Sequence, residues 1–131
     1  MAVSLFAFAL RSIGITQSPP SPYWEEVALG YDAYSILTTG KDHHGNFLPL
    51  VAFESFGDYK PSLYFYSLVP SIATFGLNTF AVRLPAALFS TLSITVMMTW
   101  AWWLTRRQSI ALWTGLLLAV QPWSWLIGRI G

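Results

Sequence analysis

The sequence contains no cysteine. Thiol nucleophiles, disulfides and zinc–thiolate centres are thereby excluded within this chain. Charge is scarce as well. Asp, Glu, Lys and Arg make up 10% of the 131 residues, against about 25% in ordinary soluble domains. There is no basic run and the net charge is +1, so nothing marks a nucleic-acid partner. No internal repeat is visible, and the only biased stretch is the Pro/Ser connector Gln17–Pro22.

What is there is apolar. Hydrophobic residues account for 54% of the chain, with seven Trp, six Tyr and nine Phe. So much apolar surface on so short a chain needs lipid or a partner to cover it. The expected class is an all-α integral membrane protein in a single domain. It has about three transmembrane helices, and two interfacial helices in the first external loop.

Residues 1–16 form the first expected transmembrane helix. As a helix they reach about 24 Å, against a hydrocarbon core of about 30 Å, so spanning requires tilt or local thinning. The start lacks the basic flank of a cleaved signal and reads as an anchor. Residues 84–104 are the clearest span, uncharged and ending in Trp100, Trp102 and Trp103. Pro85 falls in the expected first turn, where it is tolerated. Residues 110–127 form the next expected span, with Pro122 near its far end and Trp123 and Trp125 as interface anchors. The chain stops abruptly after an apolar segment at Gly131, which reads as a partial chain.

Between the first two spans lies an expected external loop, residues 17–83. Ser21 and Pro22 suit a helix start, Gly40 suits its end, and residues 22–39 are read as an amphipathic helix. Trp24, Val27, Ala28, Tyr31 and Ser35 fall on one stripe of it. Pro61 opens a second expected helix, 61–75, stopped by Gly76. Both are too short to span and are expected to lie along the membrane. If 61–75 crossed instead, Arg106-Arg107 would share a side with the acidic loop. The flat arrangement is preferred: it fits the short length and Pro70. With Arg106-Arg107 cytoplasmic by the positive-inside rule, it sets the loop, Arg83 and Arg129 on the extracytoplasmic side of the cell membrane.

The loop carries the chemistry. Trp24–Pro61 holds all six carboxylates (Glu25, Glu26, Asp32, Asp42, Glu54, Asp58), both histidines, Lys41 and Lys60. Glu25 and Glu26, at a helix start, are ionised candidates for taking a proton from an acceptor hydroxyl. With Asp58 they are also the carboxylates available to a divalent metal cation, the one cofactor the sequence suggests. Lys60, beside Pro61 at a helix start, suits a lipid phosphate, although a snorkelling lysine has the same look. Arg83 and Arg129 flank spans and either anchor helix ends or neutralise phosphate. His43-His44 reads as a surface turn, because adjacent side chains diverge. The spans at 84–104 and 110–127 hold no ionisable residue, which argues against a transporter. A non-catalytic multi-pass module, such as a transporter subunit or a lipid-binding or assembly protein, remains the alternative.

Several blocks occur in order: Tyr23-Trp24-Glu25-Glu26, Gly30-Tyr31-Asp32-Ala33-Tyr34-Ser35, Thr39-Gly40-Lys41-Asp42, Phe56-Gly57-Asp58-Tyr59-Lys60-Pro61-Ser62-Leu63-Tyr64 and Phe75-Gly76 through Arg83-Leu84-Pro85. Together they resemble the start of the polytopic GT-C glycosyltransferases, in the branch of bacterial protein mannosyltransferases and aminoarabinose-transferase-like proteins. The resemblance implies transfer of a sugar from a polyprenyl-phosphate donor to a protein or glycolipid acceptor, outside the membrane. It implies that the acidic pair Glu25-Glu26 activates the acceptor and that Lys60 contacts the lipid phosphate. The family usually has Asp where this chain has Glu25, so the carboxylate sits one methylene further out and Glu26 is the alternative base. Full members carry more spans and further site residues, so this chain is expected to hold part of the machinery and to be inactive alone.

Overall fold

The structure is a computed structural model and describes residues 1–130. The first helix, α1, covers Ala2–Ser12. The connector that follows leads to α2 (Trp24–Thr39), whose N-cap is Tyr23 and not Ser21. The Tyr23 N–H donates to Glu26 Oε2 at 2.8 Å, the reciprocal half of a capping box. Gly40 ends the helix with φ 72°, a left-handed conformation that glycine adopts without a Cβ penalty. Glu26, Leu29, Ala33 and Ile36 are buried at helical spacing. Trp24, Val27 and Tyr31, from the stripe singled out above, face outward instead.

The apolar run after the histidines is not helical. It forms a β-hairpin of β1 (Ala52–Ser55) and β2 (Asp58–Pro61), antiparallel, with Ser55 opposite Asp58 and Ala52 opposite Pro61. Phe56 and Gly57 both take positive φ, 55° and 75°, as a type I′ turn demands. The all-α expectation is corrected to this extent. Phe53 of β1 is fully buried and stacks on Phe65 of α3 (Ser62–Phe75) at 4.1 Å. Pro61 closes the hairpin and caps α3, so this helix starts one residue later than expected.

Helix α4 runs from Thr79 to Thr105, 27 residues, or about 40 Å. It starts early because Asn78 Oδ1 accepts the Ala81 N–H at 2.9 Å. Pro85 therefore lies inside the helix, not in its first turn, and its missing N–H leaves the Ala81 carbonyl open. Ser71 Oγ of α3 donates to that carbonyl at 2.7 Å, out of solvent. Among the described residues α4 is the one helix long and apolar enough to cross a membrane; Ala2–Ser12 and Gln108–Val120 are apolar but shorter.

The expected helix 110–127 is broken into α5 (Gln108–Val120) and α6 (Pro122–Ile127). Pro122 cannot donate to Leu118, and α5 ends there. The freed carbonyls are taken by Arg11, whose Nη1 donates to Ala119 O at 3.3 Å and Nη2 to Leu118 O at 3.4 Å. Nε adds Ser90 Oγ at 2.8 Å and Nη2 adds Ser124 Oγ at 2.9 Å.

Two apolar clusters hold these elements. One joins α2, α3, β1 and the start of α4 through Leu29, Ala33, Phe53, Phe65, Leu68 and Val82. The other joins α1, α4 and α5 through Ala7, Ile94 and Ala119. The first brings the hairpin and the start of α2 together; Arg106-Arg107 lies at the far end of α4.

Candidate active site

Glu25 and Glu26 follow one another at the start of α2, about 100° apart around its axis, and they meet different partners. Glu25 Oε1 accepts a hydrogen bond from Lys60 Nζ at 2.9 Å, across 35 residues of sequence. The lysine is brought there by β2, and the hairpin tip is pinned by Phe56, whose ring lies 4.5 Å from that of Trp24. Asp58 Oδ2 is 3.8 Å from the same ammonium. The Glu25 side chain is 41% exposed and that of Lys60 21%, so the pair is open to a ligand. The hydrogen bond to Glu25 raises the Lys60 pKa above its ordinary 10.5; partial burial opposes this, and the negative charges of Glu25 and Asp58 add to it.

Glu26 turns inward and is 2% exposed. Arg83 Nε and Nη2 hold its two carboxylate oxygens at 2.8 and 3.0 Å, the bidentate fork geometry that suits guanidinium. The remaining donors go to carbonyls: Nη1 to Ile15 at 2.7 Å and Pro19 at 2.9 Å, and Nη2 to Ser21 at 3.2 Å. Arg129 does the same one step away. Its Nε donates to Ser18 O at 3.1 Å, Nη1 to Leu10 O at 3.1 Å and Nη2 to Gly14 O at 2.7 Å, with the guanidinium 4.6 Å over the Trp125 ring. Burial lowers the Arg129 pKa, and the nearby Arg83 charge lowers it further.

The sequence candidates therefore divide. Glu25, Lys60 and Asp58 come together at an accessible surface. Arg83 and Arg129 are buried; Arg83 spends its donors on Glu26 and connector carbonyls, and Arg129 on carbonyls of α1 and the connector, so of the two alternatives helix anchoring fits this arrangement better than direct phosphate contact. Glu26 caps α2 and pairs with Arg83, which does not suit it as a free base. An open cleft of about 650 Å³, lined by Pro19, Ser21, Trp24, Glu25, Glu26 and Ile130, runs beside the acidic pair. Among the described residues, no group of three or more His, Asp or Glu side chains is placed to hold a metal ion.

Sequence reasoning missed one contact. His43 Nδ1 lies 2.6 Å from Asp32 Oδ1, and the His43 backbone N–H donates to the same oxygen at 2.9 Å. Asp32 is fully buried. It sits two turns after Glu25 on the same face of α2, the only signal that could have linked the two. The contact fastens the loop before the hairpin onto α2.

A family model for dolichyl-phosphate-mannose-protein mannosyltransferase matches residues 1–130. The chain belongs to this family. Comparisons with curated proteins and with solved structures return no match. Membership in the dolichyl-phosphate-mannose-protein mannosyltransferase family makes this a membrane-associated, mannosyltransferase-like glycosyltransferase, with a lipid-linked sugar donor and a protein acceptor. The Glu25–Lys60 pair holds an acid and a cation together at an accessible surface of this chain.

Proposed function

We propose that Glu25 and Lys60 form part of the active site of a GT-C-type glycosyltransferase, using a polyprenyl-phosphate sugar on the extracytoplasmic face of the membrane. The observation that carries this reading is the 2.9 Å contact between Glu25 and Lys60, which joins a proton acceptor to a phosphate-suited cation. In the proposed step the acceptor hydroxyl gives its proton to the Glu25 carboxylate, and its oxygen bonds to the anomeric carbon with inversion. The bond from that carbon to the phosphate oxygen breaks, and the lipid phosphate departs with the electron pair. Lys60 has three ammonium donors, so it can hold Glu25 and still neutralise the leaving phosphate. Glu26, Arg83 and Arg129 hold the entry to α2 and so fix where Glu25 stands. The extracytoplasmic assignment is supported by Arg106-Arg107 at the opposite end of α4, where the positive-inside rule expects the cytoplasm.

The test is transfer of labelled mannose from a polyprenyl-phosphate donor to a protein acceptor, by this chain in its full-length native setting. Glu25→Gln and Lys60→Ala are each expected to lower the rate by about 100-fold, the scale of one general base or one charge-stabilising donor. Unchanged rates in both would remove the assignment and favour a non-catalytic membrane module.

A further inference from the structure

The hairpin that carries Lys60 has two free edges, and they are not alike. The two-residue turn makes Ser55 and Asp58 a hydrogen-bonded pair. Pairing alternates from there, so Phe53 and Lys60 bond across the hairpin while Ala52 and Glu54, with Tyr59 and Pro61, turn their backbone groups outward. On the β2 edge the Tyr59 N–H is taken by Asp58 Oδ1 at 2.8 Å, and Pro61 has no N–H to offer. That edge is blunted in the way proteins protect exposed strands. On the β1 edge nothing comparable happens. Ala52 and Glu54 are both partly accessible, and among the described residues their outward N–H and C=O groups meet no hydrogen-bond partner.

Unpaired donors and acceptors two residues apart are the complement of one ligand class, an extended polypeptide. Leu50 (78% exposed) and Val51 (89% exposed) bend away just before the strand and leave bare apolar side chains beside this edge. We propose that the β1 edge takes an extended segment of the acceptor polypeptide as a third strand. This rests on the reading of Glu25 and Lys60 as the transfer site and names how the protein acceptor docks beside it. Phe53 pairs with Lys60, so their side chains share one face. The added strand would run about 10 Å from the Lys60 backbone, two strand spacings away.

The test uses the full chain in nanodiscs and an acetylated hexapeptide of alternating valine and threonine. Single N-methylation along the peptide is expected to weaken binding about tenfold per lost hydrogen bond, at every second position only. Sensitivity at all positions alike, or at none, would overturn the proposal. On the protein side, Glu54→Pro removes an outward N–H without touching the hairpin's own bonds, and is expected to raise the Kd about tenfold. Glu54→Gln keeps the N–H and is expected to bind as the parent does; weakening in both variants would point to side-chain charge and overturn the strand. Dimerisation of the chain that Glu54→Pro abolishes would also overturn it, with a second copy as the occupant. If Glu25→Gln and Lys60→Ala stop transfer while N-methylation shows no period of two, this inference fails and the transfer site stands. Two-residue periodicity with transfer unaffected by those variants would keep the docking edge and remove the transfer site.

Discussion

Two neighbouring glutamates do different work because one residue step turns a helix by about 100°. Glu25 shares an accessible ion pair with Lys60; Glu26 is locked to Arg83 out of water. Their partners should respond in opposite ways to substitution. Arg83→Met removes the guanidinium that balances a buried carboxylate and is expected to lower stability by about 3–5 kcal/mol, read by denaturant unfolding in detergent. Lys60→Met removes a half-open bridge, with an expected loss below about 1 kcal/mol, yet it should abolish most transfer. The pH dependence has a definite sign. The Lys60 pKa is raised on folding, so its bridge contributes fully below 10.5 and is lost only as pH climbs through the higher folded value. A stability profile of the parent minus Lys60→Met should therefore be flat on the alkaline side up to that point. At this scale the sequence singled out Glu25 and Lys60 by their chemistry, and the structure pairs them. It did not reveal the burial of Arg83, because the carboxylate and carbonyls that enclose it lie 57 to 68 residues away.

Among the elements, the interior proline of α4 shows how packing repairs a backbone defect. Pro85 leaves the Ala81 carbonyl without its helical donor, and Ser71 supplies one from α3. Ser71→Ala is expected to destabilise by about 1–3 kcal/mol, the range for a buried group left unpaired. In a Pro85→Ala background the helix N–H returns, and the same change should be nearly neutral. A double-mutant cycle measures the difference. Helix α2 approaches α4 closely at Gly30, where an added Cβ would meet Val82 Cγ2 at 2.8 Å. Gly30→Ala should therefore cost about 1–3 kcal/mol, with Val82→Ala relieving part of it. Helix ends marked by glycine, such as Gly40 and Gly76, were legible in the sequence. The hairpin was not, because Phe56 holds a positive φ that usually signals itself through Asn, Asp or Gly. The break before Pro122 was half legible: the proline is plain, but the arginine that accommodates the break comes from α1.

Taken whole, the molecule is packed at one end of α4 and bare along much of the rest. Ala81, Val82, Arg83 and Pro85 are buried, whereas Leu92, Val96, Trp100, Trp103 and Leu104 are exposed. A surface of this kind needs lipid or further protein, which agrees with the membrane character of the family. The lack of cysteine makes sidedness directly measurable. Single replacements His44→Cys and Gln108→Cys, at opposite ends of α4's reach, should react with a membrane-impermeant maleimide from opposite sides of sealed vesicles. Labelling of both from one side would rule out a crossing by α4 between them. Membrane class and the polar loop were readable from composition alone. The division of residues 110–127 into α5 and α6 was not, since apolar content does not say where a proline will divide a helix.

The connector between α1 and α2 gives the molecule an order of assembly. Its carbonyls at Gly14 and Ser18, and that of Leu10 in the last turn of α1, are held by Arg129, which follows them by 111 to 119 residues. During synthesis the glutamates leave the ribosome before either arginine that fastens their approach, first Arg83, 57 residues after Glu26, and then Arg129. Until Arg129 emerges, Arg83 alone grips the segment before Glu25, through the Ile15, Pro19 and Ser21 carbonyls, and a nascent chain caught at that stage should be cut there by protease more readily than one that includes Arg129. The approach to Glu25 is thus fastened in two stages, the second only once α6 and Arg129 have followed.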